Sequence, residues 1–325
     1  MRPLTRRSAG TLVGAALLAG PTAAALAAPV LERLEIIAPA ATGSGWSQTA
    51  QAMKAALEGE GLVGRVEIQQ VPGAGGTVGL ARFVKDRHGP GDAVLLTGLI
   101  MLGAELASRP AATLADTTPL ARLAGDYEVV VVPTSSPLRS LADLMTALRA
   151  DTRAVAWAGG SLGGTDHILA ALLTRQAGGD PARMRYAPYA GGGESLPAVL
   201  SGAAAVGVNS HEEFAAEIAA GRLRALAISA PQPVPAIGIP TFKEQGVPVE
   251  LVDWRGVVGA PGLDPAKAQA LGGLLARMVQ TATWQRLLQE RHWLDLYQPA
   301  EAFAAFLVEE RRDLRQLLTE TALVQ

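Results

Sequence analysis

The sequence predicts an α/β fold of two lobes, each an open sheet flanked by helices, with a ligand cleft between the two sheets. Short apolar runs alternate with Ala- and Leu-rich helical patterns in two successive series, which is typical of βαβ units. Helical segments remain after the second series, and 325 residues are enough for two ordinary domains. Because ligands bind at the carboxyl ends of strands in such sheets, we expect function in the loops between strand and helix.

The first series has three strands, each followed by a helix. The predicted strands cover residues 34–38, 66–71 and 93–96, and their helices begin at Ser47, Thr77 and Met101. In the first helix, apolar residues from Ala50 to Leu57 follow helical spacing, and Ser47 is the expected N-cap. We expect this helix to end at residues 59–61, which include two glycines.

The second series continues the same alternation. Its predicted strands are 129–132, 154–158, 184–188, 204–208 and 224–229, and its helices are 140–150, 165–177, 194–201 and 212–220. The proline-rich stretch 231–240 predicts an extended loop. A strand at 257–260 precedes three tail helices, at 264–281, 284–291 and 301–319.

Two crossing segments, near Val132 and Trp254, are expected to join the lobes. The tail would then return to the first lobe. This assigns residues 28–132 and 254–325 to lobe 1 and residues 133–253 to lobe 2.

The N-terminus has the order of an export signal. Arg2, Arg6 and Arg7 precede an apolar run at 9–19, and small residues at 25–27 form a cleavage site. We therefore expect residues 1–27 to be a signal peptide and the mature protein to be periplasmic. The paired arginines keep twin-arginine export open beside ordinary secretion, and an uncleaved membrane anchor is the alternative.

Charge and composition argue against a nucleic-acid partner. Removal of the signal leaves 25 basic and 30 acidic residues, and only 4% of the chain is aromatic. The chain has no cysteine, which excludes disulfides and thiol catalysis. The pairs Asp166-His167 and His211-Glu212 lack a second ligand at helical spacing, so we expect no metal site.

Four glycine-rich loops each follow a predicted strand and open a helix. They cover residues 39–46, 72–77, 159–165 and 189–193, and none contains lysine or arginine. Unpaired N–H groups at a helix start, together with the helix dipole, suit an anion such as a carboxylate. The loops therefore predict a protein that binds small anionic metabolites.

Six sequence blocks resemble a known family. The blocks are residues 37–50 (IAPAATGSGWSQTA), 71–79 (VPGAGGTVG), 159–168 (GGSLGGTDHI), 188–194 (PYAGGGE), 221–228 (GRLRALAI) and 239–246 (IPTFKEQG). In order and spacing they resemble the substrate-binding proteins of tripartite tricarboxylate transporters, the Bug or TctC family. The resemblance implies a monomeric, two-lobed periplasmic binding protein, similar to type II, that needs no cofactor. It would close on a carboxylate and deliver it to one large and one small integral membrane subunit.

The resemblance also implies a set of ligand-binding residues. The first lobe contributes the glycine-rich loop around Trp46, the second lobe contributes the loop around Ser161, and Tyr189 with its glycines closes the cleft. The full set is Gly43, Ser44, Gly45, Trp46, Ser47, Gly75, Gly76, Ser161, Thr165, Asp166, His167, Tyr189, Gly191, Gly192, Gly193 and Asn209.

Two departures from the family pattern concern the ligand and a loop. The branch with Trp46 usually has Asp and Arg where this chain has Ser47 and Gln51. Because none of the four loops contains lysine or arginine, a mono- or dicarboxylate is the simpler expectation, and a tricarboxylate would need a cation such as Mg²⁺. Residues 87–92 replace the family's usual motif, so we expect a reshaped loop around Thr97.

Two other functions remain open from the sequence. Gly159, Ser161 and Gly163 match the nucleophile elbow of α/β-hydrolases, and an esterase could use His211 or His292 with Asp253 or Asp264. The chain lacks the oxyanion motif of that fold, and an esterase would leave the other anion loops unexplained. A solute-binding partner of a periplasmic sensor would have the same cleft as a transport protein.

Overall fold

The computed structural model describes residues 31–86, 92–189 and 192–323. The predicted signal peptide, Gly191 and most of the variant segment 87–92 lie outside the described residues. Thr97, which was expected in a reshaped loop, is buried in a strand.

The described chain alternates strands and helices, with short 3-10 turns at Ala74–Gly76, Leu114–Asp116, Thr152–Ala154 and Pro181–Arg183. The strands are β1 Leu31–Ala38, β2 Val63–Gln70, β3 Ala93–Gly98, β4 Thr118–Pro133, β5 Ala156–Gly159, β6 Arg185–Pro188, β7 Val206–Ser210, β8 Leu223–Ile228, β9 Val252–Gly259 and β10 Leu294–Pro299. The helices are α1 Gly45–Gly59, α2 Thr77–Asp86, α3 Leu99–Ser108, α4 Leu141–Ala150, α5 Thr165–Gln176, α6 Gly192–Leu200, α7 His211–Ala219, α8 Pro265–Val279, α9 Ala282–Glu290 and α10 Ala300–Glu320.

The strands form one curled, mixed sheet in the order β2-β1-β3-β9-β4-β7-β5-β6, and β8 and β10 also pair with β4. Strands β2, β1 and β3 are parallel, as are β6, β5 and β7. The two central strands, β9 and β4, run antiparallel to their neighbours and to each other. The α/β fold is confirmed, but the centre of the sheet is antiparallel, whereas the βαβ units expected from the sequence would give parallel strands throughout.

Strand β4 belongs to both halves of this sheet. Its residues Thr118 to Tyr127 pair with β9, whereas Glu128 to Pro133 pair with β7 and β8. We call β2, β1, β3, β9, β10 and the first part of β4 the first half, and the remaining strands the second half. The predicted crossing points, Val132 and Trp254, lie within β4 and β9.

Each half has its own buried core. Trp254, Trp284 and Phe303 are buried in the first core, and Trp157 and Phe242 are buried in the second. In the described ranges, no helix is both long and apolar enough to cross a membrane.

Helix starts deviate slightly from the prediction. Helix α1 begins at Gly45, and its N-cap is Ser44, whose hydroxyl accepts a hydrogen bond from the Ser47 N–H at 3.4 Å. The assignment of Ser47 as N-cap was therefore wrong, because the turn closes one residue after a glycine with positive φ, Gly43. Strand β10, between two tail helices, was not predicted.

Candidate functional site

A cavity of about 700 Å³ lies between the two halves of the sheet. Its wall is built from the ends of several strands and the helix starts that follow them. The β1–α1 loop contributes Ser44 to Trp46, the turn before α2 contributes Gly73 to Gly76, and the β5–α5 loop contributes Gly160 to Gly163. The glycine-rich loops predicted from the sequence therefore meet at one place.

Most of the predicted site residues line this cavity. Ten of them do so: Ser44, Gly45, Trp46, Gly75, Gly76, Ser161, Asp166, His167, Tyr189 and Asn209. Gly43, Ser47, Thr165 and Gly193 are described but are not among the lining residues, and Gly192 opens α6. The binding role of all these residues stays a prediction.

The first loop is shaped by close packing around Gly45 and Trp46. A Cβ atom at Gly45 would lie 2.7 Å from Nη2 of Arg255, so a side chain there would displace a buried guanidinium. The Trp46 ring is 6% exposed, and a Cβ at Gly76 would lie 2.9 Å from it. Trp46 thus contributes to the cavity wall and to the first core together.

The third loop is closed by side chains of its own helix. The Gly160 N–H donates to Oδ2 of Asp166, and the Gly163 N–H donates to Nδ1 of His167 at 3.1 Å. The Tyr186 hydroxyl donates to the Gly160 carbonyl at 2.9 Å. Two N–H groups of the loop before α5, those of Gly160 and Gly163, therefore already have partners within the protein.

The start of α1 is also contacted by a carboxyl group from another helix of the protein. The Gly45 N–H donates to Oε1 of Glu213 at 3.2 Å, and Glu213 lies on α7 in the second half. The N–H groups of Gly45 and Gly160 lie in loops predicted to bind a ligand carboxylate, but here they donate to carboxyl groups of the protein itself.

Sequence reasoning missed the charged part of this wall. It consists of Glu128 from β4, Asp253 and Arg255 from β9, and Glu213 from the first turn of α7; Ser210, the N-cap of α7, was missed as well. The signal was present, because charged residues interrupt otherwise apolar strands in GDYEVVVV and VDWRGVVG. Although the loops carry no cation, the cavity wall does, in Arg255.

Arg255 is held by acidic and aromatic neighbours. It is 1% exposed, with Nη2 3.7 Å from Oδ2 of Asp126 and Nε 3.7 Å from Oδ2 of Asp253. Its guanidinium carbon lies 5.0 Å from the centre of the Trp293 ring. Burial raises the pKa of Asp126 to about 7, and Arg255 opposes this rise.

Glu128 and Asp166 are two buried carboxyl groups that line the cavity near each other. Burial raises the pKa of Asp166 to about 7, and burial together with the neighbouring acidic groups raises the pKa of Glu128 well above its usual value. The charge of Asp166 disfavours ionisation of Glu128, because two like charges would then be buried close together. Burial lowers the pKa of His167 to about 4, so this imidazole is neutral at neutral pH.

The structure also shows the surroundings of the residues that a metal site or an esterase would use. Within the described part of the chain, no three His, Asp or Glu side chains are placed to hold a metal ion. Among the described hydrogen bonds, none joins Ser161 to a histidine. Asp253 accepts from the Thr165 hydroxyl at 3.0 Å, and the ring centres of His211 and His292 lie 6.3 Å apart, with the rings tilted by 56°.

Comparisons with known proteins agree with this geometry. The family model described as the tripartite tricarboxylate transporter family receptor, TctC, matches residues 50–323. Protein BugT of Bordetella pertussis is 29% identical over 258 residues, which cover 74% of this chain and 76% of BugT.

Solved structures share the fold. The periplasmic binding protein BugD matches with a TM-score of 0.80 and 17% identity, over 90% of this chain and 98% of BugD. MatC from Rhodopseudomonas palustris with bound malate matches with a TM-score of 0.77 and 21% identity, over 89% of this chain and 99% of MatC. These neighbours share the fold of this chain, and the family match defines its class, that of a solute-binding receptor. The chain belongs to the TctC family, whose members include the Bug proteins.

Proposed function

We propose that this protein is a periplasmic receptor that captures a small carboxylate in the cavity between its halves and delivers it to a tripartite tricarboxylate-type transporter. The observation that carries the proposal is the cavity itself, walled by three glycine-rich loops that open helices. Membership of the receptor family supports the transport role, and the malate in MatC supports a carboxylate ligand.

Binding would proceed by closure of two lobes, residues 28–132 with 254–325 and residues 133–253. Loops from both halves reach the cavity, and strand β4 runs from the first half into the second. A carboxylate that contacts both halves stabilises the closed state through contacts that the open state lacks. The Ser161 hydroxyl, which has no hydrogen-bond partner among the described residues, is one donor available to it.

The partners follow from the family. After cleavage of residues 1–27, the receptor would act as a monomer and dock on one large and one small integral membrane subunit. It would need no cofactor and carry out no covalent chemistry.

The test is ligand-dependent stability of the mature chain, residues 28–325. The protein is unfolded and refolded to remove any bound solute, then heated with mono-, di- and tricarboxylates, with and without Mg²⁺. A ligand at 100 times its Kd adds about 2.7 kcal/mol, a shift of several degrees in Tm. A rise confined to one carboxylate class supports the proposal, and no rise with any carboxylate contradicts it.

Ser161→Ala separates the receptor from the esterase. In a receptor the change weakens carboxylate binding by about tenfold, because one hydrogen bond to a charged group is lost. Hydrolysis of a simple ester by the wild type that disappears in Ser161→Ala would establish the esterase instead. Loss of carboxylate uptake in cells without the protein distinguishes transport from a sensor role, in which gene induction alone would be lost.

A further inference from the structure

The charged lining of the cavity is mainly acidic. Four carboxyl side chains line it, from Glu128, Asp166, Glu213 and Asp253, and Arg255 is the one Lys or Arg among the described lining residues. Arg255 lies close to Asp126 and Asp253, both of them buried. A ligand with a cationic group would stabilise the ionised form of these carboxyl groups, since burial raises the pKa values of Glu128, Asp166 and Asp253.

Three buried polar side chains in this wall have an atom without a partner. They are Oε2 of Glu128, Oγ of Ser210 and Nδ2 of Asn209, in side chains of residues that are 1%, 4% and 5% exposed. All three residues line the cavity, and Ser210 stands directly opposite Glu128 in the register of β4 and β7. A buried polar atom without a hydrogen bond costs free energy, so these atoms indicate groups that a ligand supplies.

We propose that the ligand carries a cationic nitrogen with N–H donors, such as an ammonium group, in addition to its carboxylate. Glu128 accepts from this group, with Asp166 and Ser210 beside it. The Asn209 amide and the Ser161 hydroxyl offer donors to the carboxylate. The proposal rests on the proposed function and narrows its ligand class from plain di- or tricarboxylates to amino-carboxylates.

An ammonium fits this wall better than a metal ion does. Among the described residues, no group of three His, Asp or Glu side chains is placed to hold a metal ion. An ammonium group has three donors that can diverge toward separate acceptors. The charge on the nitrogen also stabilises the ionised form of the buried carboxyl groups around it.

The experiment compares ligands that differ only in the amino group. Refolded residues 28–325 are heated with glutamate and glutarate, aspartate and succinate, and 4-aminobutyrate and butyrate, and with putrescine as a cation without carboxylate. A higher Tm with an amino-carboxylate, but not with its amine-free partner, supports the proposal. A rise with the amine-free acid alone overturns it and leaves the proposed function intact. A rise with putrescine alone, or no rise with any of these compounds, contradicts both the ammonium subsite and the proposed carboxylate ligand.

Variants then locate the subsite. Glu128→Gln keeps the shape and removes the charge, and we expect it to weaken amino-carboxylate binding at least tenfold by calorimetry. Asp166→Asn is the second variant and should act in the same direction. Glu309→Gln removes an exposed carboxyl group on α10 and should leave the affinity unchanged. Equal losses in all three variants, or unchanged affinity in both Glu128→Gln and Asp166→Asn, would overturn the subsite.

Discussion

Arg255 is the cation that lies next to the buried carboxyl groups beside the cavity. It lies between Asp126 and Asp253, and it also donates to the Thr49 hydroxyl at 3.4 Å. Removing one member of a buried ion pair leaves an uncompensated charge, which costs about 3–5 kcal/mol. Replacing Arg255 should therefore cost more stability than replacing a surface arginine.

We therefore expect Arg255→Met to lower the free energy of unfolding by about 3 kcal/mol at pH 8. The loss should be smaller at pH 5, because Asp126 then carries a proton and needs no counter-charge. Urea unfolding at both pH values measures the difference. Arg312→Met is the control, since Arg312 is 73% exposed in its side chain and its pair with Asp313 lies on the surface. An equal cost at both pH values would contradict the expected role of Asp126.

Asp126 itself should make stability depend on pH. Its pKa is about 7 in the folded protein and near 3.9 in an unfolded chain, so folding binds a proton between these values. The wild type therefore loses stability as pH rises from about 4 to about 7. Asp126→Asn cannot titrate, so its free energy of unfolding relative to the wild type should rise over this window and then level off. Urea titrations at several pH values test the trend, and Asp313→Asn should show none.

At this scale the sequence predicted part of the site and missed the rest. Ser44, Gly45 and Ser161 could be predicted because a glycine-rich turn before a helix is a local pattern. Glu128 and Asp253 could not, because their place in the wall depends on which strands become neighbours. The available local signal was a charged residue within an apolar strand. It marks an unusual position but does not show which residues surround that position in the fold.

At the scale of elements, the backbone of α3 packs very closely against the β5–α5 loop. A Cβ atom at Gly103 in α3 would lie 2.0 Å from the carbonyl oxygen of Gly163. The loop that carries Ser161 can therefore keep its position only if α3 has no side chain at this point. The packing of a helix thus fixes one wall of the cavity.

Gly103→Ala should destabilise the protein by about 1–3 kcal/mol, because the added methyl group pushes backbone against backbone. It should also weaken ligand binding, since Gly163 and its neighbours line the cavity. Gly273→Ala is a matched control in the interior of α8, where a Cβ meets no atom within 4 Å. There we expect a gain of about 0.5–1 kcal/mol from helix propensity. Thermal unfolding and ligand titration of the two variants measure both effects, and equal behaviour would exclude the predicted clash.

Helices and turns were more predictable than strands. The helix Leu141–Ala150 has the predicted start, since Ser140 and Asp143 form a capping box at its N-terminus. Strand β4 is longer than the apolar run at 129–132, because its first part is stabilised by pairing with β9 and β10 rather than by its own pattern. Strand β10 is short and at an edge, and only its partner β4 makes it a strand.

At the scale of the molecule, the sequence indicates two α/β series but not how they join. Parallel order within each series follows from the helical crossovers. The antiparallel β4 and β9 join residues far apart in the chain, and such pairing depends on long-range contacts that a local pattern does not contain. These two strands merge the predicted sheets into one curled sheet and bring buried charges to the cavity.

Contacts between the halves should control how readily the cavity closes. Glu212 on α7, in the second half, accepts from the Trp293 indole N–H at 2.9 Å and pairs with Arg291. Both partners follow α9, which packs on α1 in the first half. Glu212 therefore links the two halves. The hydrogen bond from the Gly45 N–H to the neighbouring Glu213 is a second link between them.

Glu212→Ala should shift the ligand-free protein toward an open form. Small-angle X-ray scattering would then give a larger radius of gyration than for the wild type, and added ligand would restore the compact value. The apparent Kd rises as the closed population falls, by about tenfold if 1.4 kcal/mol of closing free energy is lost. Glu217→Ala is the control, because Glu217 lies on the same helix but pairs with Arg222 within the second half. If the two variants have the same radius of gyration without ligand, the Glu212 contacts do not hold the halves together, and closure must depend on the ligand alone.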